Sequence, residues 1–195
     1  RSDRRSEGVP LVTPFTTLTA IAAYYPKPNV DTDLIIRVER CAQVPKDQLG
    51  PYAFEMARFK ADGSENPDFV LNRPPFRAAR FLVAGPNFAC GSSRETAATM
   101  LEAFGIRCVI APGFGLIFFD NCFRNGMLPL ALDHDVARDA ATEAEGGADF
   151  HLDLEAMTLT LPSGRVIGFA LPSFRRDALL RGADEIEVTL ARAGA

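Results

Sequence analysis

The sequence has no tryptophan, only two histidines, and four cysteines at 41, 90, 108 and 122, no two of them in a C-x-x-C pair. Structural zinc and iron–sulfur centres need clustered Cys and His ligands, so no metal site made wholly from this chain is expected. Long apolar runs are also missing: Thr19–Tyr25 and Arg107–Phe119 are short or interrupted, which excludes a transmembrane span. There is no excess of basic charge. With 21 Lys and Arg against 25 Asp and Glu, the net charge is −4, which argues against nucleic acid or an anionic membrane as main partner. The leading residues 1–8 are polar with no apolar core, and read as a flexible tail before a single domain over 9–195. Cys108 and Cys122 lie in apolar surroundings and read as buried free thiols, which favours a reduced, cytoplasmic protein. What is present suffices for a core: 195 residues, 47% of them hydrophobic, can bury about 70% of the unfolded surface.

Val9–Thr13 and Leu18–Tyr25 read as strands, and Pro26–Asn29 breaks the chain. From Arg37 to Arg80 turn signals recur at close spacing, with one short helix at Tyr52–Phe59. This is read as a long functional loop, with 37–59 mobile until a partner covers it. Then order returns. Arg80–Gly85 is a buried strand, and Ala97, Met100, Leu101 and Phe104 recur at helical spacing before Gly105. A strand at Arg107–Ala111, a helix marked by Leu116, Phe119 and Phe123, and a strand at Pro129–Leu132 follow. This is a βαβαβ core with a parallel sheet. Asp133–Asp149, six acids against one Arg, reads as a solvated helix. Three hairpin strands follow at Phe150–Leu154, Thr158–Leu161 and Arg165–Ala170, then a helix capped by Ser173 and stopped by Gly182. The class is α/β.

The turn Asn87-Phe-Ala-Cys-Gly-Ser-Ser-Arg-Glu leads from a strand to a helix N-terminus, where open N–H groups suit an anion. Gly91 lets backbone approach closely, Ser92 and Ser93 supply hydroxyls, and Arg94 can fork onto a carboxylate. By pattern alone a capping box, Ser92 with Glu95 three residues on, ranks ahead of a catalytic serine, because caps outnumber bases. Both histidines, His134 and His151, are distant in sequence and read as surface residues. Pro112-Gly-Phe-Gly-Leu-Ile-Phe imitates a dinucleotide loop but has Phe118 where a third glycine belongs. Asn29-Val-Asp-Thr-Asp lacks the glycine and distal glutamate of a calcium loop and reads as a turn or a site-lining loop.

Taken together, Asn29–Ile36, Asn66–Asn72, Asn87–Glu95, Val109–Pro129 and Ser173–Arg176 resemble the small subunits of 3-isopropylmalate dehydratase, in matching order from about Val9 to Leu190. The resemblance implies a swivelling β/β/α domain like the fourth domain of aconitase. It implies a larger partner subunit carrying a 4Fe–4S cluster, in a heterodimer or heterotetramer, with no cofactor in this chain. The implied reaction is dehydration and rehydration of a hydroxy diacid in leucine biosynthesis, an open iron polarising the departing hydroxyl. Carried over, Ser92 is the base, Ser93 and Arg94 with Gly91 hold a substrate carboxylate, and Thr32 and Asp33 line the facing wall. The resemblance moves the Gly-Ser-Ser-Arg turn from cap to active site.

The sequence departs from the family in three places. Thr96 stands where the family writes His, and Ala89 where it writes Gly. Arg37, Val38, Arg40 and Cys41 replace a proline and an aromatic–leucine pair in the segment that selects the substrate's substituent. Two readings of Arg37 and Arg40 follow: a more polar substrate, or side chains facing solvent or the partner. The alternatives to 3-isopropylmalate are citraconate/2-methylmalate, maleate or a similar short diacid; a non-catalytic regulatory partner of the large subunit is the alternative from another class.

Overall fold

The structure, a computed structural model, describes residues 13–91 and 95–182. The expected tail at 1–8 and most of the expected strand Val9–Thr13 lie outside these residues; Thr13 itself is not in a strand. Seven strands form one mixed sheet: β1 (Thr17–Tyr25), β2 (Phe81–Ala84), β3 (Cys108–Ala111), β4 (Leu128–Ala131), β5 (Asp149–Asp153), β6 (Thr158–Thr160) and β7 (Val166–Gly168), in the order β4-β3-β2-β1-β5-β6-β7. The expected βαβαβ core is there, with β2, β3 and β4 parallel and joined through α4 (Thr96–Phe104) and α5 (Leu116–Arg124).

β1 is shared between two kinds of pairing. Its first five residues pair antiparallel with β5, Thr17 opposite Asp153 to Ile21 opposite Asp149. Its last four pair parallel with β2, Ala22 opposite Phe81 to Tyr25 opposite Ala84. The sheet is covered on both faces, which is why its parallel strands are fully buried rather than alternating. Leu82, Ala84, Val109 and Ala111 point into one core with Met100 and Leu101 of α4 and Phe118 and Cys122 of α5. Phe81, Val83, Cys108 and Ile110 point into the other with Phe150, Leu152 and the alanines of α6 (His134–Ala144).

Arg37–Phe59 keeps the short helix expected within Tyr52–Phe59 but is otherwise more regular than the loop expected of it. The Asp-Thr-Asp motif opens a short helix, α1 (Thr32–Ile35), followed by α2 (Val38–Gln43), 3₁₀ turns at 46–48 and 50–52, and α3 (Glu55–Arg58). Leu49, Ala53 and Phe54 are fully buried, and these three apolar anchors convert a turn-rich sequence into packed structure. Ser173 is not the cap expected of it: α7 (Ser173–Arg181) has Pro172 at its N-cap, while Gly182 closes it in the left-handed conformation as expected.

Candidate active site

Three loops leave the C-terminal ends of β1, β2 and β3, where open α/β sheets bind ligands. Backbone hydrogen bonds join them edge to edge. Asn29 N–H donates to the Pro86 carbonyl (2.9 Å), Cys90 N–H to Val30 (3.0 Å) and Thr32 N–H to Cys90 (3.1 Å). On the other side, Phe88 N–H donates to Gly113 (2.9 Å) and Gly115 N–H to Phe88 (2.9 Å). The parallel pattern of the sheet thus continues past its strands. The Asn29–Asp33 motif lies on one side of the 87–91 turn and the Pro112–Gly115 loop on the other. The glycines that imitate a dinucleotide motif serve this packing. A Cβ on Gly115 would stand 2.3 Å from the Ala89 carbonyl oxygen.

This arrangement requires left-handed backbone. Asn29, Asn87 and Ala89 sit at φ 52°, 57° and 55°, and Gly91 at 95°. The asparagines tolerate this region, and their side chains bond each other, Asn87 Nδ2 donating to Asn29 Oδ1 at 2.9 Å. Alanine has no such compensation, so the family's glycine at this position has a physical reason. Ala89→Gly is expected to stabilise the protein by roughly 0.5–1 kcal/mol, the relief of the Cβ clash exceeding the added chain entropy. A thermal melt would show a rise of about 1–4 °C; an unchanged or lower midpoint would refute the strain argument.

The structure places the expected site residues unequally. Asp33 is exposed, whereas Thr32 is buried at 2% and joins the ladder through its backbone. Asp31 caps α1, its Oδ1 accepting from Leu34 N–H at 2.8 Å, so the alternating oxygens of this motif serve a helix start. Gly91 is exposed and lies against Asp31, whose Cβ is 3.6 Å from where a Cβ on Gly91 would be. Ser92, Ser93 and Arg94 lie outside the described residues. Beyond them α4 begins with Glu95 at its N-cap and no side-chain cap bond; the Glu95 carboxylate reaches toward Arg124, 3.9 Å away.

Beside the motif is an open depression of about 250 Å³ lined by Lys27, Asn29, Asp31, Asp33, Leu34 and Met56. A depression of about 510 Å³ lined by Tyr24, Tyr25, Phe69 and Phe76, among others, holds none of the expected site residues.

In the segment 37–41, Arg40 follows neither expectation. Its guanidinium forks onto Glu55 (Nε to Oε2 2.9 Å, Nη2 to Oε1 2.5 Å) and lies 4.2 Å from the Tyr52 ring centre. Hydrogen bonding to Arg40 holds the Glu55 carboxyl below its ordinary value, and the same bond raises Arg40. Arg37 is exposed beside Glu39 at 3.5 Å, Val38 is 56% exposed, and the Cys41 thiol is 3.8 Å from the Arg37 carbonyl.

Sequence reasoning missed Arg58. It is 8% exposed and donates to Asn72 Oδ1 (3.2 Å) and to the Pro51 and Ala53 carbonyls (3.2 and 3.3 Å). Asn72 Nδ2 in turn donates to the Arg58 and Asn66 carbonyls (2.7 and 2.9 Å). Burial draws the Arg58 guanidinium below its ordinary value. The Asn66–Asn72 motif is therefore a clamp on α3.

All four cysteines are free, and Cys108 and Cys122 are fully buried, as expected, with burial pushing both thiols far up. Among the described residues no group of three or more His, Cys, Asp or Glu could hold a metal ion, so they do not fit an iron–sulfur cluster. No helix among them is long and apolar enough to cross a membrane.

The family model described as the aconitase C-terminal domain matches residues 12–135. Sheet, loops and match together define the class as the aconitase-type swivelling domain. The 3-isopropylmalate dehydratase small subunit of Jannaschia sp. (strain CCS1) is 49% identical over 181 residues, covering 92% of this chain and 90% of that one. That of Paracoccus denitrificans is 46% identical over 183 residues, covering 93% and 91%. A crystal structure of a 3-isopropylmalate dehydratase from Methanocaldococcus jannaschii shares the fold at a TM-score of 0.65 and 24% identity, covering 91% of this chain and 95% of that chain. The chain belongs to the family of 3-isopropylmalate dehydratase small subunits.

Proposed function

We propose that this chain, as one swivelling domain over 9–195, is the small subunit of a heteromeric hydro-lyase that isomerises 2-isopropylmalate to 3-isopropylmalate in leucine biosynthesis. The observation that carries the reading is the three-loop backbone ladder, which fixes the Asn29–Asp33 motif against the turn entering Ser92. Family membership supplies the reaction.

In this reading the large subunit holds the 4Fe–4S cluster, and this chain supplies the proton and anion chemistry. Ser92 removes the carbon-bound proton and returns it at the neighbouring carbon. Arg94 and Ser93 bind a substrate carboxylate, Gly91 admits it to the backbone, and Asp33 lines the opposite wall with Thr32 behind it. Association through the loop end of the sheet closes the shallow depression into a cleft. Free thiols and biosynthetic relatives support a cytoplasmic setting.

The test is co-expression with the large subunit encoded nearby, anaerobic reconstitution and assay on isopropylmalates. Interconversion of the two isomers by the complex, and by neither subunit alone, is expected. A reconstituted complex inert toward both would refute the proposal.

A further inference from the structure

We infer that Met56 is the side chain by which this chain selects an apolar substituent on its substrate; the inference rests on the dehydratase reading. The depression beside the Asp-Thr-Asp motif is lined by four polar residues, Lys27, Asn29, Asp31 and Asp33, and two apolar ones, Leu34 and Met56. A hydroxy diacid bearing an alkyl group needs both kinds. Met56 is 64% exposed, which costs apolar surface unless something covers it. It also lines the adjoining depression with Arg37, Glu55 and Phe59, so it stands between the motif and the selecting segment.

Its position is fixed by the two residues before it. Phe54, two residues before, is fully buried, and its N–H donates to the Ile35 carbonyl at 2.9 Å, tying α3 to the helix that follows Asp31. Glu55, the preceding residue, is clamped by Arg40. That clamp also occupies the one guanidinium of 37–41 that is partly buried, which keeps Arg40 from competing for the space beside Met56. A thioether on an unbranched stem adapts to an alkyl group without a polar requirement of its own.

The test compares kcat/KM for isopropyl- and methyl-substituted malates in the reconstituted complex. Wild type is expected to favour the isopropyl compound. Met56→Ala is expected to lower the isopropyl-to-methyl ratio about five- to tenfold, within the range that one or two methylenes command in an apolar pocket. Met56→Leu is expected to keep the ratio within about twofold of wild type, because it conserves volume and polarity. Circular dichroism should show both variants folded, since the side chain is exposed. A Met56→Ala ratio within twofold of wild type would overturn the inference. So would a ratio that moves with Arg37→Ala and not with Met56→Ala, which would return selection to residues 37–41. Failure of the wild-type complex on both malates is the distinct outcome that removes the functional reading itself.

Discussion

Alanine at Ser92 is expected to lower turnover by the reconstituted complex about 10²–10⁴-fold, the range of a positioned general base, while the subunits still associate. Two readings of this serine make different predictions. A serine that only capped a helix would cost about 1 kcal/mol of stability on replacement and leave turnover largely intact. In the described residues α4 has Glu95 at its N-cap with no side-chain cap bond. Cys90 is bonded to Val30 through its N–H and to Thr32 through its carbonyl, and Gly91 turns at φ 95° toward solvent. A general base must be held in position for proton transfer, and the backbone up to Gly91 is held. Steady-state kinetics on the complex, paired with a pull-down of the large subunit, measures both quantities. Near-full activity in Ser92→Ala would remove the serine from the mechanism.

Arg58→Ala should destabilise the protein by about 3 kcal/mol. The substitution removes three donors at once and leaves the Pro51 and Ala53 carbonyls and Asn72 Oδ1 without them in buried or half-buried surroundings. It also removes a flat cation 4.8 Å from the Phe104 ring centre and 5.1 Å from that of Phe59. For a chain of this size the melting temperature should fall by roughly 6–12 °C. Asn72→Ala should be destabilising as well, and the double variant less so than the sum, because both act through one network. Urea unfolding of the four proteins supplies the cycle. Strict additivity would show that the two residues do not form a unit.

Legibility in the sequence followed the range of the interactions. The core from β2 to β4 was readable because each strand is a short apolar run and each helix repeats at its own spacing. Gly105 closes α4 at φ 114°, where a stop belongs. Of Arg37–Phe59 only the short helix within Tyr52–Phe59 was readable; the rest was not, because its turn signals are real while its fate is decided by Leu49, Ala53 and Phe54, whose burial depends on distant residues. The Arg40–Glu55 pair spans fifteen positions and bridges two short helices, so no helical period announces it. For the candidate site, the two loops could be named from the sequence but not their adjacency, which lives in the Val30–Cys90 and Phe88–Gly113 bonds. One signal was overlooked: Asn29 and Asn87 each follow a proline, and asparagine there favours the left-handed turn that the site uses.

The division of β1 between two partners also sets an order of events during synthesis. Its parallel partner β2 is made about sixty residues later and its antiparallel partner β5 about 120 residues later. At ribosomal speeds the second interval lasts roughly 6–25 s. Throughout that time Thr17–Ile21 waits in the nascent chain with one edge unclaimed. Edges of this kind invite pairing with a neighbouring chain until the last quarter of the polypeptide emerges. Any chain terminated before Asp149 keeps that edge permanently and is expected to aggregate rather than fold.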